Sequence, residues 1–262
     1  MLRGFYTAAS GMIAQQRRQE ALSNNIANAQ TPGFKADQAS LRAFPEMLLH
    51  EMGTKQSPLK NGTNMPVNRP VGPLNTGVYV HEILPDFSQG DIRQTGLPTD
   101  FALVDGAYPD ETGKAFFTIQ NAAGEIRYTR NGNFSVDGEG FLTTNQGYYV
   151  LNQAGNRIQT NGLSVDNGMV ETAGLDLGIA YVAEPNSLAK EGEGIYAGEA
   201  ENMPLQSSYQ VKQGYLEQSN VDTMQTMTEM MNSYRMFETN QRVLKAYDES
   251  MGKAVNEIGR IG

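Results

Sequence analysis

The chain has 262 residues, no cysteine and a formal net charge of −9 at pH 7. The absence of cysteine excludes disulfides, thiolate metal sites and a cysteine nucleophile. The acidic balance argues against nucleic-acid binding, because phosphate contacts need clustered Lys and Arg. No stretch approaches the roughly 18–20 apolar residues of a membrane span, so no membrane insertion is expected. A polar, charged run from Gln15 to Glu20 lies where a secretory signal would be apolar, so no cleaved signal peptide is expected.

Proline divides the chain into two proline-free ends and a middle. All eleven prolines lie between Pro32 and Pro204, those two included. Because an internal proline destabilises a helix by about 3 kcal/mol, long helices are predicted only at the ends.

The first predicted element is a helix from Leu2 to about Asn28. Its narrow stripe with heptad spacing consists of Leu2, Phe5, Ala9, Met12, Gln16, Gln19, Ser23 and Ile26. A stripe this narrow needs a second helix to cover it. The helix is predicted to stop at Thr31, and Pro32 with Gly33 fits the two central positions of a type II turn.

Three asparagines, Asn24, Asn25 and Asn28, stand near the end of this helix. Asparagine is a poor helix former because its amide competes for backbone hydrogen bonds. Three of them within five positions suggest that these amides have defined partners. The alternative is a frayed helix end that precedes a turn.

Residues 35–77 are predicted to form an extended connector, with a possible short helix from Phe44 to Glu51. The four prolines among Gly, Asn and Lys between residues 53 and 77 favour an extended chain.

Residues 78–205 are predicted to form an antiparallel β domain. Strand-like runs begin at Val78, Phe101, Ala115 and Gly178. Four pairs each predict a type I′ hairpin turn, in which glycine takes a positive φ: Asn131-Gly132, Asp137-Gly138, Asn161-Gly162 and Asn167-Gly168.

Residues 206–262 are predicted to contain a long helix that begins near Asp222, with Gln225 three residues later as in a capping box. Its heptad-spaced stripe consists of Met227, Met230, Tyr234, Phe237, Gln241, Leu244, Asp248, Met251, Val255 and Ile258. From Asp222 to Ile258 a helix would span about 55 Å, so much of it must be covered by the N-terminal helix or by another subunit. The cluster of Met224, Met227, Met230 and Met231 either packs on the N-terminal helix or adapts to irregular subunit contacts.

The predicted fold class is therefore α+β: long N- and C-terminal helices with coiled-coil-like pairing flank a central antiparallel β domain. Because both ends need helical partners, polymerisation is expected before catalysis. The segments expected to carry assembly are 1–34 and 206–262.

Several segments resemble one known family. Residues 23–38, SNNIANAQTPGFKADQ, are similar to the N-terminal signature of the flagellar rod, hook and hook-associated axial proteins. Residues 213–222, QGYLEQSNVD, and the following MTEMM at 227–231 resemble the C-terminal signature of that family. Residues 94–106, 128–134 and 137–140 resemble its β domain. One departure is the stretch from Ala107 to Ala115, which separates Gly106 from Phe116-Phe117 where the family commonly runs straight on.

The resemblance, together with the chain length, implies a structural subunit of the bacterial flagellar basal body, of the distal-rod type. It implies export through the flagellar type III apparatus without a cleaved signal, and terminal helices that pair in the inner tube while the β domain lies outside. The expected partners are copies of this chain and other rod and hook proteins, and the expected task is to transmit torque to the hook. No catalytic, cofactor-binding or metal-binding residue is expected.

The residues expected at the assembly interface are Leu2, Phe5, Ala9, Met12, Asn24, Asn25, Ile26, Asn28, Met227, Met230, Tyr234, Phe237, Gln241, Leu244, Asp248, Met251, Val255 and Ile258. Two alternatives remain at this point. One is a hook or hook-junction protein of the same family. The other is a β-rich peptidoglycan hydrolase that uses Asp100 and Asp105 as a carboxylate pair.

Overall fold

The computed structural model describes residues 2–56, 64–106, 108, 112–160, 176–192, 194–202 and 209–258. Within these ranges the chain forms two compact units. The helical unit draws on Met1–Ser23, Ala39–Ile83 and Met227–Gly262, and the sheet unit draws on Asn24–Gln38 and Leu84–Thr226.

Two long helices are described, one towards each end of the chain. They are α1 (Leu2–Ala27) and α2 (Thr223–Lys253), and α2 continues as a π-helical turn over Ala254–Ile258. Neither of these described helices combines the length and the hydrophobicity needed to cross a membrane.

The strands in chain order are β1 (Asp37–Ala43), β2 (Met47–Gln56), β3 (Asn64–Leu74), β4 (Val78–Pro85), β5 (Ile92–Gln94), β6 (Phe101–Asp105), β7 (Lys114–Gln120), β8 (Ile126–Thr129), β9 (Phe134–Val136), β10 (Leu142–Thr144), β11 (Tyr149–Val150), β12 (Ile179–Val182), β13 (Ala189–Lys190), β14 (Ile195–Ala197), β15 (Glu201–Asn202), β16 (Tyr209–Gln213) and β17 (Tyr215–Glu217). Pro185–Ser187 form a short 3-10 turn. The α+β fold with terminal helices and antiparallel sheets is confirmed.

Among the described residues the main sheet has nine strands, and β7 lies at its centre. β7 pairs antiparallel with β8, β11 and β12, and the path runs β13-β14-β8-β7-β11-β10-β9, with β15 added beside β12. The neighbours Phe116 and Phe117 on β7 are both fully buried, in different hydrophobic clusters. Because successive strand residues point to opposite faces, this sheet is covered on both sides.

The boundaries of both helices follow from local chemistry. The Asp222 carboxylate accepts hydrogen bonds from Met224 N at 2.9 Å and Gln225 N at 3.0 Å, which satisfies first-turn donors of α2. After α1, Gly33 has φ +68° in a turn that the 3.3 Å bond from Phe34 N to Thr31 O closes. The predicted positive φ of this turn is confirmed.

The hairpin turns of the sheet differ from the prediction. Gly132 and Gly138 are not among the described glycines with positive φ, so the type I′ prediction is wrong at both pairs. Positive φ falls instead on Gly124, Gly140, Gly147 and Gly155, each three residues after Asn121, Asp137, Thr144 or Asn152. Those four side chains accept hydrogen bonds from backbone N–H groups of their own loops. The loops are therefore longer turns that end in a left-handed glycine. The pairs at 161–162 and 167–168 lie outside the described residues.

Two further expectations need correction. The possible short helix from Phe44 to Glu51 is wrong, because β2 begins at Met47 and pairs antiparallel with β3 as a long hairpin. The segment from 206 onward is not only helix, because β16 pairs with β6 and β17 pairs with β5. The prolines of residues 53–77 predicted an extended connector, and the described part of this segment is extended as strands β2 and β3. Proline is tolerated at positions of an edge strand that make no ladder bond.

Candidate assembly site at the chain ends

Within the helical unit, α1 and α2 run antiparallel to each other. Their contacts proceed in opposite order along the two helices: Gly4 with Tyr247, Gly11 with Asn240, Gln15 with Ser233, and Arg18 with Glu229. A methyl carbon added at Gly11 would lie 2.9 Å from Asn240 Nδ2, and one added at Gly4 would collide with the Tyr247 hydroxyl. Glycine at these positions leaves room on α1 for the side chains of Tyr247 and Asn240.

The seam between the helices consists mainly of small and polar side chains. Ser233 of α2 is only 2% exposed. Ser233 Oγ lies 2.8 Å from Gln15 Oε1, and Gln15 is itself buried. A search of the sequence for large apolar residues misses this seam, because the residues that form it are small or polar.

The predicted stripes lie beside the seam rather than in it. On α2 the predicted Met230, Phe237, Leu244 and Met251 are half-buried. The other described members, Met227, Tyr234, Gln241, Asp248 and Val255, are exposed. Their places in the seam are taken by the preceding residues Ser233, Asn240 and Tyr247, which make the contacts with α1.

On α1 the predicted residues behave in the same way. Phe5, Ala9, Met12 and Gln19 are half-buried, and Gln16 and Ser23 are exposed. Ile26, in the sheet unit, is also half-buried. The side chains of Leu2 and Ile258 lie outside the described residues.

A groove of about 760 Å³ joins the two predicted stripes on one side of the helix pair. Its lining consists of Gln16, Gln19, Glu20, Ser23, Met230, Met231, Tyr234 and Arg235. Met231 is 55% exposed and Tyr234 is 60% exposed. Of the methionine cluster, Met224, Met227 and Met231 are exposed, so packing on α1 does not account for these three side chains.

The three asparagines lie in the sheet unit and have defined partners. Asn25 is 4% exposed and bonds the backbone of Asp37 twice, through Nδ2 to Asp37 O at 2.9 Å and through Oδ1 from Asp37 N at 2.8 Å. Asn28 Nδ2 donates to Asn24 Oδ1 at 2.7 Å, and Thr31 Oγ1 donates to Asn28 Oδ1 at 3.1 Å. These amides shape the turn after α1, as their poor fit to a helix interior indicated.

The segment after α1 is tied to the segment before α2. Gly33 N donates to Glu217 O at 2.8 Å, and Ala36 N donates to Asn220 Oδ1 at 2.8 Å. Lys35 Nζ lies 2.7 Å from Glu217 Oε1, and both side chains are buried. We call residues 24–38 and 217–226 the terminal joint.

A buried ion cluster extends from the terminal joint into the sheet. Arg130 Nε lies 3.2 Å from Glu217 Oε2, and Arg130 Nη1 lies 2.8 Å from Asp105 Oδ1. Lys114 Nζ reaches Asp105 Oδ2 at 3.1 Å. From the sequence, Asp105 stood out only as half of a possible catalytic carboxylate pair, and nothing marked Arg130, Glu217 or Lys35 as members of one cluster. Ion pairs between residues this far apart in sequence leave no local pattern.

Burial and neighbouring charges shift the pKa values of Lys35 and Asp105 in this cluster. Burial lowers the pKa of Lys35, although the Glu217 carboxylate acts in the opposite direction. Burial by itself would raise the pKa of Asp105, but the Arg130 guanidinium and Lys114 more than offset this and hold that pKa below its ordinary value. Among the described residues, no three His, Asp or Glu side chains converge where they could hold a metal ion.

The lowered pKa of Asp105 predicts a specific acid dependence. Its stabilising effect is present above the ordinary carboxyl pKa of 3.8 and is lost as the pH falls through the lower native pKa. Asp105→Asn should therefore reduce the free energy of unfolding by roughly 1.5–3 kcal/mol at pH 7. The difference from the unsubstituted protein should shrink as the pH falls below that ordinary value. Urea titrations at pH 7, 5, 4 and 3 would check this, with the exposed Asp91→Asn as control. A difference that stays constant down to the lowest pH would contradict it.

Comparisons with known proteins match both ends and the middle of the chain. Family profiles described as "Flagella basal body rod protein", "Flagellar hook protein FlgE/F/G D1 domain" and "Flagellar basal body rod FlgEFG protein C-terminal" match residues 5–35, 112–175 and 212–257.

Full-length relatives agree with these profiles. The chain is 42% identical to the "Flagellar hook-basal body complex protein FlhO" of Bacillus subtilis, over 100% of both chains. It is 30% identical to the "Flagellar basal-body rod protein FlgG" of the same organism, over 98% of this chain and 99% of the relative. It is 28% identical to the "Flagellar basal-body rod protein FlgG" of Borreliella burgdorferi, over 98% of both.

The match spans the whole chain, includes both terminal signatures and the β region, and involves structural proteins, so the expectation that the chain is not an enzyme is confirmed. This chain belongs to the family of flagellar basal-body rod and hook proteins.

Proposed function

We propose that this chain is a structural subunit of the flagellar distal rod. It polymerises through its terminal helices, with copies of itself and with other rod and hook proteins, into a helical tube that transmits torque to the hook. It resides in the basal body and reaches it through the flagellar type III export apparatus. Segments 1–34 and 206–262 are the assembly regions, and coiled-coil-like packing of α1 and α2 is the arrangement in the tube.

The observation that supports this proposal is the row of exposed apolar side chains along the described part of α2. Met227 is 46% exposed, Tyr234 60% and Val255 72%, and they stand on one heptad-spaced stripe. Burying one large apolar side chain completely is worth roughly 1.5–3 kcal/mol. A few such contacts in each subunit, repeated along a polymer, offset the entropy lost when the ends become ordered.

The geometry also suits a polymer that does not close. The groove lined by Met230, Met231 and Tyr234 lies on one side of the helix pair. A contact between two different surfaces of a subunit generates an open helical filament unless its rotation closes a ring. Polar stripe positions such as Gln16 and Gln241 fix the register of such contacts at some expense of affinity.

Substitutions on the α2 stripe test the proposal. Tyr234→Asp and Phe237→Asp should leave the thermal unfolding of the sheet unit unchanged, because both residues lie in the helical unit. They should abolish polymerisation of the purified protein and swimming of the cells, because a charge would be buried at each subunit contact. Asn232→Asp adds the same charge at an exposed position of α2 that lies off the stripe, and it should assemble normally. Normal motility of both stripe variants would overturn the interface assignment.

A position in the hook or at the hook junction is the second candidate, because the relative at 42% identity is described as a hook-basal body complex protein. Immunogold labelling of purified hook-basal bodies separates the two. Label along the rod supports the distal-rod assignment, and label confined to the hook end supports the alternative.

A further inference from the structure

The two units differ in how much apolar side chain they bury. The largest fully buried side chains among the described residues, including Phe34, Phe101 and Phe117, all belong to the sheet unit. Among the described residues of the helical unit, the buried apolar side chains are three alanines, Ala8, Ala14 and Ala21, and one leucine, Leu22. Because stabilisation scales with buried apolar area, the sheet unit of a free subunit gains far more stability from its core than the helical unit does.

One end of each terminal helix lies inside the sheet unit: the C-terminal end of α1 and the N-terminal end of α2. The division of the chain falls between Ser23 and Asn24 in α1, and between Thr226 and Met227 in α2. One turn of α1 and one turn of α2 are therefore part of the better-packed unit.

Both of these turns are held by specific bonds. At the α1 side, Asn28 N donates to Asn24 O at 3.0 Å, and Asn25 is fixed by its two bonds to Asp37. At the α2 side, Thr226 N donates to Asp222 O at 2.9 Å, and Thr226 is 8% exposed. The bonds of Gly33 and Lys35 to Glu217 then hold the two turns in one structure.

Starting a helix is the costly step in forming one. The first turn fixes several residues for a single hydrogen bond, with a nucleation weight of about 10⁻³, whereas each later residue adds one bond. A turn that is already formed removes this cost for the helix that continues from it.

We propose that the terminal joint is a helix nucleus for both ends of the chain. It keeps one turn of α1 and one turn of α2 formed in the free subunit, and the two helices grow from it as neighbouring subunits cover their stripes. This inference rests on the proposed function, since it concerns how the assembling ends become ordered.

Hydrogen exchange on the full-length free subunit tests the nucleus directly. Peptides from residues 24–38 and 217–226 should be protected to the same degree as the sheet. Peptides from 2–20 and 230–256 should exchange at least about 100-fold faster, because most of the stability of a helix in a protein comes from tertiary packing and these segments bury little apolar side chain. Joint peptides that exchange as fast as the ends would overturn the proposal, and so would ends that are as protected as the joint.

A variant tests whether the nucleus matters for growth. Asn25→Ala removes both bonds to the Asp37 backbone. It should lengthen the lag of polymerisation by about 10-fold or more, because the nucleating turn at the C-terminal end of α1 must then form unaided. Gln30→Ala changes an exposed amide of the same segment and should leave the lag unchanged. If circular dichroism shows that Asn25→Ala unfolds the sheet, Asn220→Ser provides the same test from the α2 side, because it removes the acceptor of Ala36 N.

If a variant that remains folded polymerises with an unchanged lag, the proposal that the terminal joint is a helix nucleus is wrong. Failure of the unsubstituted protein to polymerise would instead count against the proposed function. The exchange pattern of the free subunit would still decide whether the terminal joint is a helix nucleus.

Discussion

Arg130→Met is expected to lower the free energy of unfolding of the sheet unit by about 3–5 kcal/mol. The Arg130 guanidinium is 1% exposed and ion-pairs with Asp105 and Glu217. It also donates to Ala115 O at 2.8 Å. Removing one member of a buried ion pair leaves the opposite charge without compensation, which costs more than the loss of the attraction itself. Since a typical domain is stable by about 5–15 kcal/mol, this loss is a large share of the total.

Urea unfolding followed by circular dichroism and tyrosine fluorescence measures this effect, because the chain has twelve tyrosines and no tryptophan. The matched control is Arg127→Met. Arg127 also contacts two carboxylates, Glu125 and Glu191, but these are exposed to solvent. Exposed ion pairs contribute little, so the unfolding midpoint of the control should stay close to that of the unsubstituted protein. Equal losses in the two variants would show that burial of the cluster is not what matters.

Gly33→Ala is expected to lower the free energy of unfolding by about 2–5 kcal/mol, for two separate reasons. Gly33 has φ +68°, a conformation that is strained for any residue with a Cβ. In addition, a Cβ at this position would lie 2.5 Å from the backbone carbonyl of Arg130. Backbone atoms cannot rotate away as the end of a flexible side chain does, so the terminal joint would have to shift.

Gly96→Ala separates the two causes. Gly96 has a similar φ of +73°, but an added Cβ would meet no heavy atom within 4 Å. In this control the free energy of unfolding should fall only by the conformational contribution, about 1–2 kcal/mol. Thermal unfolding of both variants gives the comparison, and a loss in Gly33→Ala no larger than in Gly96→Ala would disprove the steric contribution.

Features whose cause is local in sequence were predictable. The two proline-free ends predicted helices, and α1 and α2 occupy them. Asp222 predicted the start of α2, because an N-cap needs only one acceptor side chain and the next few N–H groups. Pro32-Gly33 predicted the turn after α1, because the positive φ of its second position favours glycine.

The hairpins show where a local pattern misleads. Asn131-Gly132 has the composition of a tight turn, but Gly132 is there because a Cβ would collide with the Phe101 carbonyl. That carbonyl is thirty-one positions away in the chain, so no inspection of the neighbouring residues could reveal the conflict. Asp137 with Gly140 carried the better signal, an acceptor side chain three residues before a left-handed glycine.

By itself, the sequence determined where the helices stand, that the middle is an antiparallel sheet, and which large apolar residues form a stripe at each end. Those properties depend on backbone preferences and on periodicity, and both can be recognised from consecutive residues. Only the tertiary structure decided that the helices meet at Gly4, Gly11 and Ser233, and that Tyr234 stays exposed while Ser233 is buried. It also decided that Lys35, Glu217, Arg130 and Asp105 share one buried cluster. Close packing and charge pairing depend on which distant residues come together in space, and a linear pattern of residue types does not contain that information.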